Sequence, residues 1–379
     1  MNARWSLSPA GPRRVLMTVD AVGGVWRYGI DLCRALSLGG VDVLLVGFGP
    51  TPSSSQNAEA LAIPGLELCW TEHPLDWMAD KRSPLAPISD TLNRLADKGD
   101  VDVFHLNLPS QAVGIEAGRP VVAASHSCFE TWWRAVRPKY AFPEYWMWHR
   151  EVTAEGFQRA DTVLSPSRSH ARALEQCYGN IERLKVIHNG SAAWFPGEMT
   201  KEEFVFSAAR WWDPAKNIST LDTAASQCRW PILAAGDLQG PGGETAGTVR
   251  NMRTLGTLGR SGMHDMMSKT PVFVSTTLYE PFGLAVLEAA RAGAALVLSD
   301  IPTYRELWSD AALFVPPLDS GGFAHELNRL AADPGERLRL GREARLRSSR
   351  YHLHAQTEAM LKTYAEVCER VGGSPIPAE

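Results

Sequence analysis

The sequence has no apolar run near the roughly 20 residues that cross a bilayer, and Met1 to Pro12 lack the apolar core of a secretory signal. Neither sign of charge dominates. Against 38 Lys and Arg stand 42 Asp and Glu, a net charge of −4, which argues against a nucleic-acid partner held by a broad basic surface. The six cysteines (Cys33, Cys69, Cys128, Cys177, Cys228 and Cys368) include no close pair of the kind that clamps zinc or cycles a disulfide. Reduced, buried thiols are expected. There is no repeat of fixed period and no low-complexity tract. These absences lead to an expectation of a cytoplasmic protein, resting at most peripherally on the inner face of a membrane, with neither metal nor cofactor.

What is present is length and alternation. The 379 residues exceed what one core usually serves, so two domains are expected. Short apolar runs at Val15–Val19, Val41–Val46, Val101–Leu106, Val121–Ser125, Thr162–Ser165 and Lys185–Ile187 read as strands, with helical stretches between them. The pattern restarts at Phe204–Ala208, Ile232–Ala235, Val272–Ser275, Leu296–Ser299 and Leu313–Val315. Nearly all-apolar strands alternating with helices mark an α/β fold of parallel sheets covered on both faces. The expected layout is a Rossmann-like domain over 1–190, a linker within 191–200, and a second Rossmann-like domain over 191–352. Arg337–Arg350 reads as a basic helix, Leu353–Val367 as an amphipathic one, and Ser374–Pro377 as a frayed end. The last helix, over about 353–372, is expected to pack back on the first domain. Two such units are expected to face a cleft, and ligands of doubly wound sheets bind outside the carboxyl ends of the strands.

The segment Val272 to Leu307 carries the most chemistry. A strand delivers the chain into Tyr279-Glu280-Pro281-Phe282-Gly283, and a helix follows from Leu284 to about Arg291. Pro281 and Gly283 suit a tight turn, and Gly283 allows close approach to the backbone. The helix start, at Gly283 and Leu284 beside Phe282, offers amide N–H groups and a positive dipole end to a diphosphate. Glu288 lies four residues beyond Leu284, about 6 Å along the axis, where a carboxylate can accept from two ribose hydroxyls. Glu280 precedes the helix and is placed to contact the sugar. Arg210, just after the strand Phe204–Ala208, and Lys216, read as opening the next helix, supply positive charge for the diphosphate.

On these residues the chain resembles a family 4 retaining glycosyltransferase of the GT-B fold. The resemblance rests on Glu280 and Glu288 separated by seven residues, on Arg210 and Lys216, on Gly23-Gly24 after the first strand, and on His126 after a central strand. It runs in order from Val15 to about Tyr364. Thr276-Thr277 replace the usual Pro-Ser, and Arg291 and Ala294 depart from the residues more often found there.

The resemblance implies transfer of a sugar from a nucleoside-diphosphate donor, UDP in preference to GDP, to a hydroxyl acceptor such as a glycan, glycolipid or small metabolite. It implies retention of configuration by same-face attack. Glu280, Arg210, Lys216 and His126 would be catalytic, and Gly283, Leu284, Glu288, Phe282, Gly23 and Gly24 would hold the donor. A sugar-nucleotide epimerase and a non-catalytic sugar-nucleotide-binding protein are the alternatives.

Each feature has a plainer reading. The two glutamates alone are ordinary helix-start acids, the two cations ordinary surface charges, Gly23-Gly24 a permissive turn, and a lone His a satisfied core residue. Asp100-Val101-Asp102 resembles a metal clamp, but acids before a strand usually serve turns. Between Thr131 and Arg150, Trp132, Trp133, Tyr140, Phe142, Tyr145, Trp146 and Trp148 interleave with Arg134, Arg137, Lys139 and Arg150. Trp26, Trp132 and Trp133 are candidate acceptor contacts. The stretch as a whole suits an acceptor site, a membrane contact or the core.

Overall fold

A computed structural model describes residues 11–196 and 199–372; Ser374–Pro377 and most of Met1–Pro12 lie outside the described residues. The chain divides into two compact units. The first comprises Met1–Arg134, Lys139–Gly190 and Leu353–Glu379; the second comprises Ala135–Pro138 and Ser191–His352.

The first unit is built on seven strands: β1 (Arg14–Asp20), β2 (Asp42–Phe48), β3 (Leu66–Trp70), β4 (Val103–Leu106), β5 (Val121–Ala124), β6 (Thr162–Ser165) and β7 (Leu184–Val186). They pair in the order β3-β2-β1-β4-β5-β6-β7, every pairing parallel. The second contains β8 (Val205–Ala208), β9 (Ile232–Ala235), β10 (Arg253–Gly256), β11 (Val272–Ser275), β12 (Ala295–Ser299) and β13 (Leu313–Val315). Their order is β10-β9-β8-β11-β12-β13, again all parallel.

Strand periodicity explains the layering. In the second sheet Phe206, Phe273, Leu296 and Leu298 enter one core cluster. Their neighbours Val205, Val272, Val274, Ala295 and Val297 enter the cluster on the opposite face. With both faces buried, apolar residues occupy nearly every position. β3 and β10 escaped the sequence reading for the converse reason: both are edge strands, with β3 mostly part-exposed and β10 mostly exposed.

In each sheet the strand order reverses once, between β1 and β4 in the first and between β8 and β11 in the second. The loops leaving the carboxyl ends of these four strands are therefore where a ligand is expected.

The two ends of the second unit are held together. Ser191 and His352 form a parallel bridge. The Arg291 guanidinium donates to Ala193 O at 3.0 Å and to Tyr351 O at 3.1 Å. The departure at Arg291 therefore has a structural use in this chain.

The helix Leu353–Gly372 belongs to the first unit. Its Gln356 accepts from the Gly190 amide at 2.6 Å, and its Tyr364 hydroxyl lies 2.6 Å from Nδ1 of the fully buried His105. Lys185 on β7 reaches Thr363 and Glu366 of the same helix. Asp102 accepts from the amides of Arg13 and Arg14 at 2.7 and 2.9 Å, so it serves a turn, as its position suggested. All six cysteines are free; Cys33, Cys128 and Cys177 are buried, whereas Cys69, Cys228 and Cys368 are only part-buried, short of the burial expected for the whole set. Among the described residues, no helix is long and apolar enough to cross a membrane.

Two outcomes follow from this packing. A Cβ at Gly156, in the helix Met147–Arg159, would sit 1.9 Å from Pro109 O. Gly156→Ala should therefore lower the thermal midpoint, although Ala in a free helix gains about 1 kcal/mol over Gly. Burial pushes the His105 imidazole from its ordinary 6.5 down to about 4. The unfolded chain therefore takes up a proton that the fold refuses, and stability should fall as pH drops from 6.5 towards 4. Denaturant titrations at stepped pH, with His105→Gln as the reference, measure this.

Candidate active site

In the second unit the loops leaving β8 and β11 are fastened to each other. After β8 the chain turns through Arg210 and Trp211, whose indole N–H donates to Ala235 O at 2.8 Å. A short 3-10 turn, Pro214–Lys216, follows, capped by the Asp213 carboxylate on the Ala215 amide. Asn217 then takes a left-handed conformation, φ 53°, and its side-chain amide donates to Thr276 O and Pro317 O. The next helix starts only at Ile218. Lys216 thus closes the turn ahead of the helix instead of opening the helix. The cause is Asn217, whose positive φ interrupts helical geometry.

From the other side, the Leu278 amide donates to Ala215 O at 2.7 Å, and the Thr277 hydroxyl sits between that oxygen, 2.7 Å, and Tyr279 O, 2.8 Å. Thr276 Oγ1 donates to Asn217 O at 3.2 Å. The two threonines that stand where Pro-Ser is usual are the fastening between the loops.

Held in this way, Lys216 Nζ and Glu280 Oε2 lie 2.8 Å apart, with side chains 14% and 21% exposed. Each therefore still opens onto solvent. Arg210 is more open, its guanidinium 3.7 Å from the Asp213 carboxylate and stacked over Trp212 at 5.4 Å.

Gly283 caps the following helix, Leu284–Arg291, with φ 92°. A Cβ there would meet the Tyr304 ring at 3.1 Å, so both conformation and space call for glycine. Tyr304 is buried beneath this turn, its hydroxyl 2.9 Å from Ser275 Oγ. The Leu284 and Ala285 amides have no hydrogen-bond partner among the described residues, as the geometry of a helix start dictates. Glu288, four residues on from half-buried Leu284, shares its face, and its Oε1 accepts from Ser191 Oγ at 3.3 Å. Phe282, read as a donor contact, is 3% exposed and packs edge-on against Tyr351. Its ring belongs to the core.

The remaining candidates lie in the first unit. Gly23 caps and Gly24 opens the helix Gly24–Leu38 after β1. The loop between is fixed by the Asp20 carboxylate on the Val22 amide, 2.9 Å, and by Gln56 on Ala21 O. Trp26, read as an acceptor contact, is 5% exposed and packs near Trp70, so its ring is not offered at the surface. Trp132 and Trp133 are half-buried members of an aromatic cluster with Phe129, Phe142 and Trp146; Tyr140 and Tyr145 are exposed. The stretch thus divides between a packed cluster and two outward rings.

His126 is half-buried just beyond β5, and its Nε2 lies 2.8 Å from Asn107 Oδ1. Desolvation pushes its pKa down to about 3, with His105 and His170 adding to the effect. It is a neutral imidazole at any ordinary pH. The sequence reading missed Asn107, which holds it, and Thr18, which holds Asn107. The only signal in the sequence was Asn107 standing just after β4, as His126 stands just after β5.

Among the described residues, no group of His, Cys, Asp and Glu side chains is arranged to hold a metal ion.

Comparison with known proteins follows the same division. Residues 22–191 match the model of Glycosyltransferase Family 4, and residues 244–347 match that of Glycosyl transferases group 1. Gly23, Gly24 and His126 fall in the first match, Glu280 and Glu288 in the second, and Arg210 and Lys216 between the two. No curated protein matches the sequence.

Among solved structures, the chain is similar to sucrose-phosphate synthase from Thermosynechococcus elongatus, with 18% identity, TM-score 0.76, and 94% of this chain and 99% of that one covered. It is also similar to Anabaena HepE in complex with UDP-glucose, with 20% identity, TM-score 0.70, and 93% and 99% covered. A glycosyltransferase from Rickettsia africae gives 15% identity, TM-score 0.67, and 93% and 98% covered. At such identities the likeness establishes the fold. With two parallel Rossmann-like sheets and family matches over both of its halves, the chain belongs to the family 4, group 1 glycosyltransferases of the GT-B fold.

Proposed function

We propose that this glycosyltransferase moves a sugar from a UDP-sugar to a hydroxyl acceptor with retention of anomeric configuration. The observation that carries the reading is the fastening of the β8 and β11 loops, which sets Lys216 against Glu280 beside a helix start with open amides. Two cations and a helix N-terminus at one sheet reversal suit two linked phosphates.

Anabaena HepE, similar in fold, has been solved with UDP-glucose, with UDP, and with UDP and glucose. That supports UDP as the nucleotide. In this reading the second unit holds the donor, and the first presents the acceptor.

The roles follow from donor and acceptor chemistry. An ammonium has three N–H donors, so Lys216 can keep Glu280 and still reach a phosphate oxygen. Arg210 adds a planar fork for the same diphosphate. Both cations, with the Leu284 and Ala285 amides, act on the charge that grows as the bond from the anomeric carbon to phosphate breaks. Glu280 orients the sugar, Glu288 takes the ribose hydroxyls in place of Ser191, and His126, being neutral, meets a sugar hydroxyl. The acceptor oxygen attacks from the face the phosphate leaves, and its proton passes to the departing phosphate oxygen. Atoms balance: UDP and the new glycoside are the products, and no enzyme nucleophile is needed.

Phe129, Trp132, Trp133 and the exposed Tyr140 and Tyr145 offer aromatic faces for a glycan or lipid-linked acceptor, with Arg137 and Lys139 beside them in sequence. The same surface suits peripheral contact with an anionic membrane, at the cytoplasmic face.

Lys216→Ala and Glu280→Gln should each lower kcat/KM by about 10²–10³-fold while leaving the fold intact. Donor hydrolysis and transfer rates beside thermal midpoints measure this, and equal rates in all three proteins would end the catalytic reading. Sugar inversion at C2 with donor alone would instead identify an epimerase. In a thermal-shift series UDP should stabilise the protein more than ADP or GDP, by about 2.7 kcal/mol at a hundredfold excess over its Kd.

A further inference from the structure

The polar groups around His126 are ordered by one amide. Asn107 stands immediately after β4, opposite Thr18 of β1, at the reversal of the first sheet. Its backbone N–H donates to Thr18 Oγ1 at 2.8 Å, and its Nδ2 donates to Thr18 O at 2.5 Å. Thr18 Oγ1 in turn donates to Gln111 Oε1 at 2.7 Å.

A carbonyl accepts and never donates, so the Nδ2 contact fixes which end of the Asn107 amide faces Thr18. Oδ1 faces the other way and can only accept. Two imidazole nitrogens approach it: His126 Nε2 at 2.8 Å and His105 Nε2 at 3.2 Å. His126, the nearer, must therefore bring an N–H. His105 Nε2 lies equally close to the Tyr28 hydroxyl, 3.2 Å, and its pattern closes through that hydroxyl or Asn107 on one side and the Tyr364 hydroxyl, 2.6 Å from Nδ1, on the other. For His126 it leaves Nδ1 with no partner among the described residues. The ring lines a small hollow with Tyr28, Ser125, Ser165 and Asn189, and the Tyr28 ring lies edge-on to it at 4.3 Å.

We propose that Asn107 is a positioning residue: it holds His126 in the Nε2–H tautomer, so that the bare Nδ1 accepts from a hydroxyl and discriminates against phosphate or carboxylate oxygens. The sugar-binding part rests on the reading of His126 given above; the tautomer part does not. The titratable groups that face His126 are His105, His170 and Tyr28. All three are buried, with the imidazole pKa values lowered and the phenol raised, so none supplies a charge near neutral pH. The tautomer is then decided by hydrogen bonding alone.

The test is long-range ¹H–¹⁵N correlation on full-length protein labelled at histidine, with His126 assigned through His126→Gln. Wild type should show His126 protonated on Nε2 and bare on Nδ1, with no protonation above pH 5. In Asn107→Leu the bias should vanish, and the Nδ1–H form should reach tens of per cent. A wild-type ring protonated on Nδ1, or a tautomer unchanged in Asn107→Leu, overturns the inference.

If that variant does not fold, Asn107→Asp carries the same question. Its carboxylate still accepts from Nε2 but favours the imidazolium, raising the ring's pKa by roughly 1–3. UDP-sugar affinity should then be weaker at pH 5 than at pH 8 in Asn107→Asp, by up to about tenfold at the upper end of that shift, while wild type stays flat between them. A loss equal at both pH values overturns the inference. Should the tautomer respond as expected while His126→Ala binds UDP-sugar as well as wild type, the assignment of His126 to the sugar falls and Asn107 keeps its role.

Discussion

The second unit turns on a single carbonyl. Ala215 O receives the Leu278 amide and lies 2.7 Å from the Thr277 hydroxyl, and through it the segment leaving β11 is fixed to the segment leaving β8. Lys216 directly follows that junction and Glu280 stands two residues beyond it, although the two are 64 positions apart in sequence. Their meeting therefore follows from backbone held on both sides. A surface ion pair gains little by itself, because ordering two long side chains offsets most of the attraction. At this site the ordering is done by the loops, so the pair costs little more to hold.

The same junction fixes the helix that follows. Gly283 reverses the chain over Tyr304, and Tyr304 is tied back to Ser275 at the end of β11. Strand end, turn and helix start thus form one stiff piece, and the open amides at Leu284 and Ala285 point from a rigid base. Binding a doubly charged group to such a base needs no reorganisation when charge moves, which is where preorganised dipoles outperform water. Farther along the helix, Glu288 touches Ser191 and Arg291 touches Ala193 and Tyr351, so one short helix links the ligand-facing turn to both ends of its unit.

Much of this was legible in the sequence, and the reasons are specific. β11 and the helix Leu284–Arg291 were read at their true limits, because a fully apolar strand, a proline and a glycine punctuate them. The family resemblance was legible because most of its residues lie on loops or at a helix start, where side-chain identity is not dictated by packing. What misled was context that only the fold supplies. Phe282 and Trp26 sit beside candidate loops in sequence, but aromatic rings there bury as readily as they bind. Lys216 was assigned to a helix because nothing in Asp213-Pro-Ala-Lys-Asn217 announces that Asn217 will take a positive φ. β3 and β10, lying at sheet edges, lack the apolar pattern by which the other strands were found. Asn107 was invisible for a different reason: its importance comes from what Thr18 does to its orientation, 89 positions away.

The helix Leu353–Gly372 brings Gln356 and Tyr364 to the first unit only after the whole second unit has intervened in the chain. On the ribosome the order of completion is therefore reversed. The later unit has all its residues as soon as His352 emerges, while the earlier one waits, with His105 lacking its tyrosine, until the helix Leu353–Gly372 has been made as well. A nascent chain that stops short of residue 353 leaves bare the surface of the helix Gly24–Leu38 that this last helix covers, and uncovered apolar surface of that kind invites aggregation.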